Sequence, residues 1–145
     1  MKITILTVSS VVILAFGLMS LTTTKDKYNN INKNNKFLQN PNAGKVVYTK
    51  VCSACHQPTG AGLPGVFPPL AKSDYLNADL NRAIKQVIKG STGAIMVNGK
   101  KYNTPMPAQG TLSDNEIADV LTYVYASWGN TNKKITPAMV KAQRK

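Results

Sequence analysis

The sequence predicts an all-α fold of three main helices with one small β-hairpin insertion. Three stretches of the 145-residue chain carry apolar side chains at helical spacing and are bounded by residues typical of helix ends. A loop rich in glycine and proline separates the first two stretches, and an Asn98-Gly99 pair lies between the second and the third. A chain of this length is expected to form one domain around one core.

The first 21 residues are typical of an export signal. Met1-Lys2 precedes a stretch from Ile3 to Leu21 that has no charge and contains a continuous apolar run at Val11–Met19. Hydroxyl side chains weaken this stretch as a membrane span, and no clean Ala-x-Ala cleavage site follows it. Two fates of this segment are therefore compatible with the sequence. It is either a cleaved signal peptide or an uncleaved anchor that contacts the membrane through residues 3–21. Either one predicts an exported, periplasmic protein.

Residues 22–41 are rich in Thr, Asn and Lys and are predicted to form a disordered linker. The folded domain is expected over residues 42–130. Its first helix is predicted from about Asn42 to Cys55, where valines form a short apolar stripe. From Gln57 to Leu70, the glycines and prolines predict a loop.

The middle of the chain predicts a second helix followed by a hairpin. Asn77 is expected to cap a helix that extends to about Lys89, and Gly90 suits its end. Between Ala94 and Tyr102, Asn98-Gly99 lies amid partial alternation and predicts a tight hairpin turn.

The last third of the chain carries the strongest helix signal. Ser113 and Glu116 form a capping box before a periodic apolar stripe, and Gly129 is the predicted stop. Thr136-Pro137 then opens a short helical segment within the basic residues 131–145. We expect this segment to lie on the surface.

The pentapeptide Cys52-Ser53-Ala54-Cys55-His56 is the most informative stretch, because this pattern is the covalent attachment signature of c-type haem. On one helical turn, residues three apart project to the same side, so both thiols can reach the two vinyl groups of one porphyrin. His56 then lies beneath the ring and can bind the iron as an axial ligand. The sequence thus predicts one haem c.

Other uses of a Cys-x-x-Cys pair fit less well. A closed zinc site needs four ligands, and the chain holds only 2 Cys and 1 His. A thioredoxin-like pair should follow a strand within a βαβ unit, whereas this pair closes a helical pattern. A zinc site, a thioredoxin-like redox pair and a plain disulfide between the two cysteines are therefore all disfavoured relative to haem attachment.

The second axial ligand must be Met, Lys, Tyr, water or nothing, since His56 is the only histidine. Met96, Met106 and Met139 follow the haem motif. Met106 is favoured because the flanking prolines in Pro105-Met106-Pro107 exclude a regular helix or a central strand and hold the residue rigidly. A thioether ligand favours reduced iron, as an electron carrier requires.

The chain resembles class I cytochromes c over roughly residues 42–140. The resemblance rests on the haem motif, the loop Phe67-Pro68-Pro69-Leu70, the Pro-Met106-Pro loop and the capped helix that ends in Trp128. Within that superfamily the chain is similar to small monohaem domains associated with copper nitrite reductases, haem-copper oxidases and alcohol dehydrogenases, especially in Phe67–Leu76 and Val97–Tyr102. The resemblance implies the cytochrome c fold, with three main helices around one covalently bound haem.

The resemblance also implies roles for residues around the haem. The carbonyl of Pro68 would accept a hydrogen bond from the imidazole of His56. Tyr102 or Asn103 would bond a propionate or the sulfur of Met106. The alternative for Tyr102, which the residues alone favour, is simple packing within the hairpin. Trp128 would contact a propionate or belong to the core.

These features predict a single-electron carrier between exported or membrane-bound redox proteins of a respiratory chain, and not an enzyme. Two alternatives stay open: a cytochrome subunit of a larger oxidoreductase of the nitrite reductase, terminal oxidase or alcohol dehydrogenase type, and a haem gas sensor or peroxidase. The last is disfavoured because no second histidine can act on a bound ligand. A monomer and a subunit of a larger complex are both compatible with the sequence.

The formal net charge of +12 is concentrated in the two ends of the chain, so the folded middle is only mildly basic. No recognised nucleic-acid motif accompanies the charge, which disfavours nucleic acid as a partner. Attraction to an acidic docking surface on a redox donor or acceptor, and solubility alone, both explain the charge.

Overall fold

The computed structural model describes residues 41–145, which are mostly helical with one two-stranded antiparallel sheet. The helices are α1 Pro41–Val47, α2 Ser53–His56, α3 Asp74–Ala78, α4 Leu80–Lys89, α5 Asp114–Ala126 and α6 Pro137–Gln143, and a π-helical segment Tyr48–Cys52 joins α1 to α2. The strands are β1 Ile95–Val97 and β2 Lys100–Tyr102. The predicted export signal and nearly all of the predicted linker lie outside the described residues.

The first predicted helix is confirmed, and it contains a π-helical turn that ends at the first cysteine, Cys52. Tyr48 opens that turn, and its carbonyl accepts a hydrogen bond from the backbone N–H of Ser53, five residues later. The Tyr48 side chain is 1% exposed, and its hydroxyl donates to the carbonyl of Gln57 at 2.6 Å. Gln57 has a φ of 63°, so the helix ends immediately after His56.

The cap of the second helix lies two residues after the predicted one. Asn77 lies inside α3, and Asp79 is the residue that caps α4, because its carboxylate accepts from the backbone N–H of Arg82 at 3.0 Å. The extended backbone of Asp79, with a φ of −146°, separates the two helices. The predicted end of α4 is confirmed, with Gly90 at a φ of 73°.

The hairpin is confirmed and is attached to α3. Asn98 and Gly99 have φ values of 51° and 74°, as the tightest hairpin turns require. The carboxylate of Asp74 accepts from the backbone N–H of Asn98 at 2.7 Å, and the side-chain oxygen of Asn98 accepts from the backbone N–H of Asp74 at 3.0 Å. This reciprocal pair fixes the turn at the start of α3.

Helix α5 begins with the predicted capping box, in which Ser113 and Glu116 satisfy each other's backbone N–H groups. It packs closely on α1, since a Cβ at Gly44 would overlap the carbonyl oxygen of Asp119. The helix ends at Ala126, earlier than the predicted stop. Its buried face supplies the centre of the core: Ile117, Ala118, Val120, Leu121, Val124 and Tyr125.

The basic C-terminal segment carries the predicted helix, but its expected surface position is wrong. Ile135 and Val140 are fully buried in the same core as α5. Arg144 forms an ion pair with Asp114 at 2.6 Å, which attaches the end of the chain to the start of α5. Isolated apolar residues among lysines gave too weak a periodicity to predict this burial. Within residues 41–145, no helix is long and apolar enough to cross a membrane.

Candidate functional site

A largely apolar cavity lies where the end of α2, helices α4 and α5, the hairpin and two proline-bearing loops meet. Aliphatic, proline and aromatic side chains form most of its wall, including Phe67, Pro69, Leu70, Val87, Val97, Leu121 and Val124. All six residues predicted to bind the cofactor line this cavity. The six are Cys52, Cys55, His56, Pro68, Tyr102 and Met106.

His56 is presented as a neutral imidazole with one nitrogen available. Its Nδ1 lies 3.0 Å from the carbonyl oxygen of Pro68, which is the contact that the resemblance implies. A carbonyl oxygen only accepts hydrogen bonds, so Nδ1 carries the hydrogen and Nε2 keeps its lone pair. Burial lowers the pKa of His56, and the hydrogen bond to Pro68 opposes that shift only in part. The side chain therefore has the protonation state of a metal ligand.

The loop after His56 is held rigidly by its own backbone. The N–H of Gly62 donates to the carbonyl of His56 at 3.0 Å, and Leu63 pairs with Phe67 as an isolated bridge. Gly62 has a φ of 64°, and a Cβ there would overlap the carbonyl oxygen of Phe67 and crowd that of Pro68. These contacts determine where the Pro68 carbonyl lies.

Cys52 and Cys55 are free thiols, partly buried, and both line the cavity. Burial, and secondarily the neighbouring Cys55, raises the pKa of Cys52 to about 11, so Cys52 is a neutral thiol at pH 7. Across the described part of the chain, no three His, Cys, Asp or Glu side chains come together as a metal-ion site would require.

Of the three methionines within residues 41–145, Met106 is the one that lines the cavity. Met96 is 55% exposed on the hairpin, and Met139 packs against the core from α6. The backbone N–H and C=O of Met106 both pair with Ser91, each at 2.9 Å. A Cβ at Gly90 would lie 2.5 Å from the Met106 carbonyl oxygen, so the Met106 loop lies tightly against the end of α4.

The remaining predicted contacts divide between the cavity and the core. Tyr102 is 5% exposed and lines the cavity, whereas Asn103 is exposed and does not. Trp128 lies outside the cavity, packs 5.1 Å from Tyr48 between ring centroids and covers Gly60. Trp128 is therefore partly buried and packs against the core.

Three cavity residues were missed in the sequence: Tyr75, Arg82 and Gln86. The guanidinium of Arg82 donates to the backbone carbonyl of Tyr75 and lies 3.7 Å from the centre of its ring. Gln86 donates to the Tyr75 hydroxyl at 3.1 Å. The Nε of Arg82 is buried and has no hydrogen-bond partner in the described structure. The one available signal was the four-residue spacing of Arg82 and Gln86, which is equally typical of a solvated helix face.

Asn130 was also missed, although it joins the loop after His56 to α5. Its side-chain nitrogen donates to the carbonyls of Leu70 at 2.9 Å and Val124 at 3.0 Å. Its side-chain oxygen accepts from the backbone of Ser73 and the side chain of Asn77. No local sequence pattern predicts these contacts.

The donor set of the cavity fits a haem c. It offers two thiols, a neutral imidazole with a free nitrogen, a thioether sulfur and apolar walls for a porphyrin. The unpartnered Nε of Arg82 adds a buried donor that suits an acidic substituent. Such a site defines a haem protein built for electron transfer. The cytochrome c family model matches residues 41–128, and the chain belongs to that family as a monohaem electron-transfer protein.

Relatives of two kinds are similar to the chain. Cytochrome c-552 of Thermus thermophilus is 36% identical, over 70% of this chain and 94% of the relative. The cytochrome c subunit of alcohol dehydrogenase (quinone) from Gluconobacter oxydans is 35% identical, over 61% of this chain and 19% of the subunit. The cytochrome c subunit of gluconate 2-dehydrogenase from Pantoea cypripedii is 34% identical, over 66% and 22%. This chain therefore matches about a fifth of each dehydrogenase subunit.

Proposed function

We propose that this cytochrome c carries single electrons between exported or membrane-bound redox proteins of a respiratory chain. Cys52 and Cys55 attach haem c covalently in this proposal, and His56 and Met106 bind its iron. The observation that supports it most is that these four side chains line one apolar cavity, to which Met96 and Met139 do not contribute.

The residues around the cavity have different proposed roles in binding the cofactor. Bound haem supplies a one-electron iron couple, whose potential a methionine ligand raises. Pro68 orients the His56 imidazole through its carbonyl, as outer partners of metal-bound histidines commonly do. Tyr102 is proposed to bond a propionate or the Met106 sulfur. The three main helices proposed to surround the haem are the first helix, made of α1, the π-helical segment and α2, together with α4 and α5.

The absorption spectrum of the reduced, purified protein before and after carbon monoxide tests this assignment. We expect a c-type spectrum that carbon monoxide leaves unchanged, because Met106 closes the sixth position. Met106→Ala should open that position and lower the reduction potential, whereas Met96→Ala removes an exposed methionine and should change neither. An unreactive Met106→Ala protein would contradict the ligand assignment. A reactive wild-type protein would instead favour gas sensing or peroxidase chemistry.

A second candidate function is a cytochrome subunit of a larger oxidoreductase. It is favoured by the similarity to subunits of alcohol and gluconate dehydrogenases. Purification from native membranes and extracts, with the apparent mass followed by absorbance of the haem, separates the two functions. A stable complex that contains a dehydrogenase or oxidase supports the subunit, and a monomer supports the free carrier.

We propose an exported, periplasmic location, with residues 1–21 as a signal peptide or an uncleaved membrane anchor. The charge of +12 supports a redox partner with an acidic docking surface. Amino-terminal sequencing of the mature protein distinguishes the two fates of the segment. A mature chain that begins near residue 22 supports cleavage, and an intact start in the membrane fraction supports the anchor.

A further inference from the structure

Helix α6 lies beyond residues 41–128, the part of the chain that the cytochrome c family model matches. It nevertheless packs into the same core as α4 and α5, through the fully buried side chain of Val140. Thr136 caps its start by accepting from the backbone N–H of Met139 at 3.3 Å. The helix is therefore held at its start and in its middle, which gives Arg144 at its end a defined position.

Arg144 directs three nitrogens of its guanidinium at one short stretch of chain. Nη1 donates to the carbonyl of Gly110 at 2.9 Å, Nη2 to that of Leu112 at 2.5 Å, and Nε to the carboxylate of Asp114 at 2.6 Å. A guanidinium presents its donors as a rigid fork, so these bonds fix the three acceptors relative to one another. The side chain is 31% exposed, so solvent screens the ion pair in part.

The stretch that Arg144 holds is the continuation of the Met106 loop. Residues 107–112 lead from Met106 to the start of α5. In the middle of this stretch, the backbone N–H of Gln109 donates to the carbonyl of Val87, near the end of α4, at 2.8 Å. The loop is thus attached to α4 through its backbone and to the end of α6 through Arg144, two parts of the molecule that are distant in sequence.

We propose that Arg144 is a positioning residue for Met106, because it holds the loop that carries the thioether and so limits how often the sixth position of the iron opens. The inference rests on the proposed function, since it takes Met106 to bind the haem iron. Arg144 does not line the cavity, so it acts through the loop and not on the cofactor. A thioether is a weak acceptor, so the position of the loop determines where the sulfur lies.

Loss of Arg144 should therefore increase the open fraction of the site without removal of a ligand. Its partly exposed, charge-assisted hydrogen bonds are strong enough that their loss should make opening roughly 3–10-fold more frequent. An external ligand that binds only the open form gains apparent affinity by the same factor. Imidazole is such a probe, because it must take the place of the thioether to bind ferric iron.

Imidazole titration of the full-length haem-loaded ferric protein, followed by absorbance, tests the proposal. Arg144→Gln should bind imidazole roughly 3–10-fold more tightly than the wild type. Arg144→Lys keeps the charge but loses the fork, so it should restore only part of the wild-type value. Hydrogen exchange gives a readout that does not depend on the iron. The Gln109 amide should exchange faster in Arg144→Gln, because the loop leaves α4 more often.

Two variants control for charge and for stability. Lys141→Gln removes the same charge from an exposed position of α6 and should bind imidazole like the wild type. Gly65→Ala lies on the loop after His56, where a φ of 77° strains any side chain although nothing lies within 4 Å of the new Cβ. It should lower stability and leave the imidazole affinity unchanged, so it shows what lost stability alone does.

The outcomes separate this inference from the proposed function. If folded, haem-loaded Arg144→Gln binds imidazole no more tightly than Lys141→Gln or Gly65→Ala, the positioning role is overturned while the electron carrier stands. If Met106→Ala binds imidazole no more tightly than the wild type, the ligand assignment of the proposed function fails instead. Should Arg144→Gln not accumulate, Arg144→Lys decides the question. Tighter imidazole binding than in Lys141→Gln then supports the role, and equal binding overturns it.

Discussion

The loop that carries Pro68 and the loop that carries Met106 hold their proposed iron ligands by different means. On the Pro68 side, the ligand's own side chain is hydrogen-bonded, since the His56 imidazole donates to the Pro68 carbonyl. On the Met106 side, the backbone alone is paired, through two hydrogen bonds to Ser91. A thioether is a weak acceptor, so its position depends on where the loop lies. The Met106 side should therefore be the more easily opened of the two.

Each side contains a glycine at which any other residue would displace the loop. Gly62 faces the carbonyls of Phe67 and Pro68, and Gly90 faces the carbonyl of Met106. Each side also contains a glycine with a positive φ and open space around it, namely Gly65 and Gly93. Gly90 is matched with Gly93, and Gly62 with Gly65. In each pair both glycines have a positive φ, but only the first would place a new Cβ against a neighbouring carbonyl, so the effect of collision can be separated from that of backbone strain.

The largest functional effect is expected for Gly90→Ala. A Cβ there would lie 2.5 Å from the Met106 carbonyl oxygen, and the backbone, with φ 73° and ψ −170°, is in a region that essentially only glycine occupies. If strain of about 1–3 kcal/mol is transferred to the loop, it should weaken the binding of Met106 to the iron by roughly 5–150-fold. Carbon monoxide binding to the reduced protein should then become detectable.

Gly93→Ala is the control for this variant, because it has positive-φ strain but no atom within 4 Å of the new Cβ. It should lose stability and remain closed to carbon monoxide. Equal reactivity of the two variants would show that general loosening, and not collision with the Met106 loop, opens the site.

Gly62→Ala should lower the stability of the protein without opening it to carbon monoxide. The collision with the Phe67 carbonyl and the positive φ of 64° together should cost about 2–4 kcal/mol in the free energy of unfolding. Gly65→Ala, with a φ of 77° and no neighbour within 4 Å, should cost about 1 kcal/mol. Urea denaturation of the two variants measures the difference. Carbon monoxide binding by Gly62→Ala would show that the two loops are not independent.

The parts of this site that the sequence predicted are those that local spacing determines. The haem motif, the hairpin turn and the capping box each place interacting residues within five positions of one another. Asn130 was missed because its partners Leu70 and Ser73 lie 60 and 57 residues away, and nothing near Asn130 indicates them. The Met106 loop was predicted from its prolines, but its pairing with Ser91 depends on how α4 ends against it.

The cap of the second helix was predicted at the wrong residue because two nearby side chains can both cap a helix. Asn77 and Asp79 both carry side chains that cap helices, and sequence alone did not rank them. In the structure Asn77 bonds Asn130 and the backbone of Thr131, more than 50 residues away, which leaves Asp79 to cap α4. Contacts between residues far apart in the sequence thus determine which residue caps the helix.

The attachment of the hairpin to α3 gives a smaller effect on the Met106 side. Asp74→Ala removes the acceptor for the backbone N–H of Asn98, while the pairing of Met106 with Ser91 is untouched. We expect a loss of about 1 kcal/mol in unfolding free energy and faster hydrogen exchange at the Asn98 amide. Asp74→Asn retains a side-chain oxygen and should recover most of the protection. Unchanged exchange in Asp74→Ala would mean that the turn is held by its own conformation.

The smallest effect is expected at the capping box of α5, which belongs to neither loop. Hydrogen bonds from the backbone and side chain of Ser113 lower the pKa of Glu116 below its ordinary 4.5. A carboxyl whose pKa is lower in the folded state stabilises the fold above its unfolded pKa, and this contribution is lost as the pH falls through the folded value. Glu116→Gln should therefore show a shallower loss of stability below about pH 5, by a few tenths of a kcal/mol because the carboxyl is largely solvated. Urea denaturation across acidic pH measures that slope.

Carbon monoxide reactivity of Glu116→Gln should stay unchanged, since α5 retains its packing. A change in that reactivity would mean that the start of α5 is coupled to the Met106 loop.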